Sequence, residues 1–456
     1  MVTAVKVGLL GCGNVGGALV KLLVDDGERI AARTGLSLEL KGVAVRSQSR
    51  EREAPVPEGA LTSDAHAVVS DPEVDVVVEV IGGIEPARTL ILTALKAGKP
   101  VVTANKELLA NCGSELFEAA STAGVDLLFE AAVAGGIPLI RPLRESLAGE
   151  QIRRVMGIVN GTTNFILSKM SESASSYHDA LAEAQSLGYA ERDPTADVEG
   201  FDAAAKAAII ANVAFGARVV AGDVYREGIS AITAADIAIA RQLGYAVKLL
   251  AVVEHTDAEG GEPESIAVRV HPAMVPATHP LASVRDSFNA VFIEGDAVGQ
   301  LMLLGRGAGG MPTASAVLGD LLDASHNLTT GGAGRSVALH DTNIRPIDDL
   351  RSAYYITLQV LDRPGVLHAV SGVLGRHHVS IRLMEQEALA SASAEAADAA
   401  AAAPDVPSTS GDGESVARLV FVTHPAYERD VQECLHELRH LDVVDRIGGL
   451  LRVIGP

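Results

Sequence analysis

An α/β fold is predicted for this chain: an N-terminal doubly wound domain, a mixed α+β domain after it, and a small ferredoxin-like unit at the C-terminus. Three observations predict it. Short β-branched runs alternate with longer helical ones from residue 5 to residue 129. The alternation then gives way to mixed strand and helix patterns carrying most of the unusual polar clusters. From residue 354 onward the order becomes strand, helix, strand, strand, helix, strand.

The first five strands, at residues 5–10, 38–45, 74–81, 101–103 and 125–129, are short runs rich in β-branched and aliphatic residues, as largely buried strands require. Helices are predicted over 15–32, 86–97 and 106–123, and buried strands separated by helices build a parallel sheet. Residues 1–134 form this first domain. Residues 135–350 read as a substrate-binding and dimerisation domain that completes a site begun by the first. In the third unit, 354–456, a strand over 354–360 leads through the turn Asp362-Arg363-Pro364-Gly365 into a helix to about residue 377. Strands at 379–386 and 418–423, a helix over 427–440 and a strand over 443–453 complete a βαββαβ order. Residues 388–415, rich in Ala, Ser, Asp and Pro, bury too little to offset their ordering entropy, so a disordered hairpin insertion is expected there. No fixed-period repeat is present.

Hydrophobic residues make up 48% of the 456 and aromatics 3%, with no Trp, so aliphatic packing must carry the cores. A formal charge of -21 excludes nucleic acid and anionic membrane as partners, since either needs a basic surface. Cys12, Cys112 and Cys434 lie far apart, which supports neither a disulfide framework nor a thiolate metal site. No charged leader precedes an apolar stretch, and the run 74–84 is interrupted by Asp75 and Glu79, well short of the roughly 20 residues a spanning helix needs. A cytoplasmic location is the expectation.

Gly11-Cys12-Gly13-Asn14-Val15-Gly16 has the G-x-G-x-x-G spacing at the first strand-to-helix junction. There Gly11 permits a tight turn, Gly13 lets backbone amides approach a pyrophosphate, and Gly16 allows close helix packing, so a nicotinamide dinucleotide is predicted. A mere turn is the bland alternative, and the junction disfavours it. An NAD-selective site usually ends its second strand with an acidic residue for the ribose 2′-OH. Here that strand runs into Arg46, which suits a 2′-phosphate, so NADP is favoured over NAD, although an arginine in such a place is often only solvated.

Thr103-Ala104-Asn105-Lys106 follows a short strand at the sheet edge where open α/β sheets bind ligands. Taken alone, Lys106 would be a helix-terminus lysine facing water. Farther on, residues 187–206 pack carboxylates into a loop, among them Glu191 and Asp197, and then open an Ala-rich helix. Asp202 and Lys206 stand i, i+4 on one face of it. Such pairs are commonly superficial, but the apolar neighbours Ala203–Ala205 and Ala207–Ile210 predict burial, where a lysine's pKa becomes tunable.

With these residues in view, the chain resembles the homoserine dehydrogenases. The resemblance is carried by residues 11–16 and 103–106, by Ala131-Ala132-Val133-Ala134-Gly135-Gly136-Ile137-Pro138, by Asn160-Gly161-Thr162-Thr163-Asn164, by the 188–206 segment and by Gly305-Arg306-Gly307-Ala308-Gly309-Gly310. It implies interconversion of aspartate 4-semialdehyde and homoserine on the route to threonine, methionine and isoleucine. Lys206 would be the proton donor, Asp202 its partner, and Lys106 would lie between nicotinamide and substrate. Glu191, Asp197 and Gly188 would bind the substrate. The cofactor would meet Gly11, Gly13, Asn14, Val15, Gly16, Arg46, Thr103, Lys106, Gly188 and Gly307. A monovalent cation such as sodium is implied at Glu130, Val133, Gly135 and Ile137, held by one carboxylate and backbone carbonyls; the residues alone suggest only a loop before a helix. The C-terminal unit is similar to an ACT domain, with Asp362–Gly365 at its ligand turn, threonine as effector and a homodimer or homotetramer as the assembly. A purely structural role in assembly is its alternative.

Two rivals are disfavoured. A semialdehyde dehydrogenase working through a thioester needs a central nucleophilic cysteine, and none of the three is so placed. A non-catalytic sensor would have no need of a buried lysine beside a carboxylate.

Overall fold

The structure, a computed structural model, describes residues 2–256, 265–389 and 415–455. A parallel sheet of six strands opens the chain: β1 (Thr3–Leu10), β2 (Leu36–Ala44), β3 (Leu61–Thr62), β4 (Val76–Glu79), β5 (Val101–Thr103) and β6 (Leu127–Leu128), in the order β3-β2-β1-β4-β5-β6. The order reverses between β1 and β4, and a ligand crevice is expected there, outside the carboxyl ends of the strands. Helices α1 (Asn14–Asp25), α2 (Gly27–Thr34), α3 (Ala65–Ser70), α4 (Ala87–Lys96) and α5 (Lys106–Ala123) flank the sheet. Val7, Leu9, Val76, Val77 and Val78 are fully buried, as these aliphatic strand centres demand.

Three details depart from the sequence reading. The helix expected over 15–32 is two helices, broken at Asp26, whose backbone (ψ 3°) leaves the helical range where Asp25-Asp26-Gly27 disfavours its continuation. The short β3 and α3 were not foreseen, because a two-residue strand and a six-residue helix give no readable period. In the C-terminal unit, Ala388 and Leu389 belong to a strand rather than to an insertion; residues 390–414, where the disordered insertion was expected, lie outside the described residues.

The second domain is a helix layer on a mixed sheet. It contains β7 (Ile152–Ile158), α6 (Gly161–Ser173), α7 (Tyr177–Ser186), α8 (Thr195–Val198), α9 (Phe201–Ala214), β8 (Tyr225–Arg226), α10 (Ala234–Gln242), β9 (Tyr245–Thr256), β10 (Ser265–Pro276), β11 (Phe288–Gly295) and β12 (Gly299–Arg306). Then α11 (Gly310–Thr330) returns to the first domain and packs along α1 and the parallel sheet. Gly310 is needed at that return, since a β-carbon there would stand 2.5 Å from the Asn14 side chain.

The C-terminal unit has the predicted βαββαβ order: β14 (Arg351–Leu361), α12 (Val366–Arg376), β15 (Ile381–Leu389), β16 (Val416–Thr423), α13 (Glu428–Leu438) and β18 (Val444–Val453), with β13 (Asn343–Ile344) and β17 (Ala426–Tyr427) as short accessory strands. Its sheet is not separate. The outer edge of β10 pairs in turn with β13, β8 and, at Ala273 and Met274, with Arg452 and Val453 of β18, so one sheet runs β12-β11-β7-β9-β10-β18-β14-β16-β15. Tyr355, Val420, Val422, Leu451 and Val453 enter the same core as the helices α6 and α9. Arg452, 2% exposed, spans the seam: its Nε donates to Glu428 at 2.9 Å and its Nη1 to Glu227 at 2.8 Å. A complete βαββαβ order suggests a self-standing unit, but this one shares its sheet and part of its core with the second domain.

Candidate active site

Three loops meet at the carboxyl ends of β1, β4 and β5. In the first, Gly11 has φ +100° and a β-carbon there would press on Val80 O at 2.8 Å; at Gly16 it would stand 2.1 Å from Gly11 O, whereas nothing lies within 4 Å of that position at Gly13. The two outer glycines thus close the turn while Gly13 leaves an open face at the N-terminus of α1, next to Asn14 and Val15. A dinucleotide pyrophosphate fits such a cradle. Arg46 is exposed just beyond β2, and Arg52 shapes the loop after it, donating to Arg50 O at 2.7 Å. The positive charge of Arg52 also bears on the Cys12 thiol in the phosphate loop, though burial outweighs it and pushes that thiol's pKa up. Arg52 has no sequence signature and was not foreseen.

Thr103 is fully buried. Its hydroxyl donates to Glu79 at 2.6 Å and accepts from Asn105 N–H at 3.0 Å, so the side chain is committed to the framework. The Glu79 carboxylate, also fully buried, accepts the amides of Ile81 and Gly82 as well, tying the second loop to the third. Asn105 caps α5 through Leu108 N–H, which sets Lys106 as the first residue of that helix.

Lys106 points across to the second domain and meets Asp202, pairing with its Oδ1. The other carboxylate oxygen accepts Lys206 Nζ at 2.7 Å, and Lys206 also donates to Val159 O at 2.6 Å. The i, i+4 pair is buried, as its apolar helix predicted. Asn160, between β7 and α6, donates from Nδ2 to Asp197 at 2.7 Å and to Asp202 at 2.9 Å. The side chains of α5, α9, the α8 turn and the β7–α6 junction therefore converge on one cluster. Val159 O and the bridging Asn160 were missed: a backbone carbonyl leaves no trace in sequence, and an Asn before a helix reads as an ordinary cap.

The charges differ in character. Burial pulls the Lys206 pKa below its usual range, and Asp202 offsets this only in part. For Lys106, whose side chain is 45% exposed, burial pulls the same way but the Asp202 charge wins and the pKa is raised. Burial would raise the pKa of Asp202, yet the two ammonium groups hold it below the carboxylate range. Asp197 is raised, burial outweighing the Asn160 hydrogen bond. The two lysines thus differ in direction: the Lys106 pKa is raised and that of Lys206 is lowered.

Glu191 and Gly188 lie on the exposed loop after α7. Gly307 faces the Gly135 turn, where a β-carbon on Gly135 would stand 2.2 Å from Gly307 O. At the expected cation site, consecutive left-handed residues Ala134 (φ 57°) and Gly135 (φ 55°) turn the chain beside Val133 and Ile137. The Glu130 carboxylate is already engaged by the amides of Leu139, Ile140 and Arg141. These three bonds leave Glu130 Oε2 with acceptor capacity, beside the carbonyls of the turn. In the C-terminal unit, Asp362–Gly365 forms the turn into α12, with Gly365 at φ +93°.

Comparisons with known proteins agree along the chain. Residues 11–130 match the family profile described as "Homoserine dehydrogenase, NAD binding domain", residues 138–322 the profile "Homoserine dehydrogenase", and residues 354–388 the "ACT domain". The chain is 48% identical over 453 residues to a homoserine dehydrogenase of Corynebacterium glutamicum, covering 99% of this chain and 96% of that one. Among solved structures, a homoserine dehydrogenase from Thiobacillus denitrificans superimposes with a TM-score of 0.87 at 39% identity, covering 99% of this chain and 98% of the other. A hyperthermophilic archaeal homoserine dehydrogenase mutant, solved in complex with NADPH, is 30% identical with a TM-score of 0.59, covering 71% of this chain and 98% of its own.

Proposed function

Because the chain belongs to the homoserine dehydrogenase family, we propose that it interconverts aspartate 4-semialdehyde and homoserine with Lys206 as the proton-exchanging group. The observation that carries this is the buried Lys206 Nζ, fixed by Asp202 and Val159 O beside a second lysine from the dinucleotide-binding domain that pairs with the same carboxylate. The dinucleotide, when bound, supplies or accepts the hydride. In the reductive direction Lys206 as an ammonium gives its proton to the carbonyl oxygen as negative charge builds there. In the oxidative direction the neutral amine takes the hydroxyl proton, and the lowered pKa makes that form accessible. Lys106 supplies fixed positive charge toward the same oxygen. Asp197, Glu191 and Gly188 are assigned to the substrate, the two carboxylates to its ammonium group and hydroxyl region.

NADP is proposed as the preferred dinucleotide over NAD, on Arg46 and on the absence of an acidic residue at the end of β2; an NADPH complex in the archaeal relative supports it. Residues 1–134 bind the dinucleotide, 135–350 bind substrate and dimerise, and 354–456 regulate, with threonine as effector at the turn 362–365 in a homo-oligomer. A sodium-like cation is proposed at Glu130, Val133, Gly135 and Ile137, held by one carboxylate and backbone carbonyls.

Lys206→Ala tests the central assignment. Dinucleotide affinity should stay near wild type while turnover falls about 10²-fold or more, the loss typical of a missing general acid. Near-wild-type turnover would refute it.

A further inference from the structure

We propose that Asn160 is a positioning residue, whose side-chain amide locks the Asp197 and Asp202 carboxylates into the one arrangement that serves Lys106 and Lys206. The inference rests on the lysine assignment above and adds a residue to it.

The case starts from the junction between β7 and α6. Asn160 is the N-cap of α6: its Oδ1 accepts the Thr163 N–H at 2.9 Å. An asparagine oxygen and nitrogen differ in hydrogen-bonding role, so this bond decides which way the amide faces. With Oδ1 turned to the helix, both N–H groups of Nδ2 must point away from it, one to Asp197 at 2.7 Å and one to Asp202 at 2.9 Å. A flipped amide would set N–H against N–H at Thr163 and an oxygen against two carboxylates. Asn160 is 5% exposed and every polar atom of its side chain is used.

The consequence is electrostatic as well as geometric. Asp197 and Asp202 are like charges that repel, and each is placed by a different element, α8 and α9. Asn160 is the neutral donor between them. Beyond it, the groups bearing on Asp197 are Asp202 and Lys206 from α9 and Lys106 from α5, while those bearing on Asp202 are Lys206 and Lys106. A helix cap alone needs only Oδ1; the paired use of Nδ2 is what a cap does not explain.

Serine and aspartate both cap helices about as well as asparagine, so Asn160→Ser and Asn160→Asp keep α6 while changing the bridge. In Asn160→Ser the donors to both carboxylates are lost. In Asn160→Asp a third carboxylate replaces them. Homoserine oxidation is measured against pH for both, alongside thermal melting, dinucleotide binding and the Lys206→Ala variant. Both should melt near wild type and bind dinucleotide normally. Their kcat/KM for homoserine should fall about 10- to 100-fold, the scale of a roughly 1 Å misplacement. The acidic limb of the profile should move to higher pH, further in Asn160→Asp than in Asn160→Ser, because loss of a hydrogen bond or gain of negative charge favours the protonated carboxylic acid. Wild-type kcat/KM with an unmoved limb in a folded Asn160→Ser protein overturns the proposal and leaves a helix cap. An active Lys206→Ala protein instead overturns the lysine assignment, so the two failures are told apart. If Asn160→Ser melts early, the Asn160→Asp profile alone decides.

Discussion

Asp202→Asn is the sharpest probe of the lysine cluster. The change keeps the shape and replaces one acceptor oxygen by a donor. Asp202 Oδ2 takes two donors, Lys206 and Asn160, whereas Oδ1 takes only Lys106. The new NH₂ group will therefore take the Oδ1 place, where one contact is lost rather than two and where Lys106, 45% exposed, can swing toward water. A hydrogen bond between charged groups is worth about 1.5–3 kcal/mol. At about 1.4 kcal/mol per factor of ten, the lost Lys106 contact alone lowers kcat/KM roughly 10- to 150-fold. The charge change adds a directional signature. The Lys206 pKa is already lowered by burial, and Asp202 is the main group opposing that shift. Without the carboxylate it falls further, so the ammonium gives way to the amine at a lower pH than in wild type. Semialdehyde reduction, which needs the ammonium, should be depressed most and recover as pH is lowered. For homoserine oxidation, which needs the amine, the rise with pH should begin earlier than in wild type. Following reduced nicotinamide by absorbance in both directions across pH checks this. Equal losses in the two directions with unmoved pH profiles would refute the reasoning.

Two further outcomes are expected. Arg46→Ala should raise the Michaelis constant for NADP more than for NAD, by roughly 10- to 150-fold if one charged hydrogen bond of about 1.5–3 kcal/mol is lost; equal shifts would show that Arg46 does not read the 2′-phosphate. Deleting residues 353–456 removes Tyr355, Val420, Val422, Leu451 and Val453 from the main core. At up to about 1.5–3 kcal/mol for each buried side chain, against a typical total of about 5–15 kcal/mol, the truncated protein should melt far below full length or aggregate; a truncated enzyme with full-length stability, still inhibited by threonine, would contradict both the seam and the regulatory assignment.

The parallel sheet was legible because its central strands are buried, so short runs rich in Val and Leu between helices pointed to it, even though β2 exposes Glu39 and Lys41. Asp202 and Lys206 were legible for a related reason: a fixed helical spacing on an otherwise apolar face leaves a charged pair nowhere to go but inward. Lys106 was different. Nothing local separates it from a surface lysine, and only the approach of α9, a contact between residues 96 apart in sequence, gives it a role. The three amides on the Glu130 carboxylate were illegible for a like reason, since they come from residues nine to eleven places further along the chain. The sharing of one sheet by two units was illegible, because β18 has the pattern of a strand that completes its own small domain whether or not its far end also joins β10.

That shared sheet bears on the order in which the protein can be made. Ribosomes synthesise at roughly 5–20 residues per second and domains generally fold as they emerge. The stretch of β10 around Ala273 and Met274 is finished long before β18, which pairs with it, so on the order of ten seconds pass in which those backbone groups have no strand partner on that edge. An unpaired edge is a template for pairing with other chains. The nascent enzyme thus has every residue of its catalytic cluster in hand while its sheet is still open. Slowing translation or starving the cell of chaperones at that stage should harm yield more than any change to the finished protein's stability would suggest.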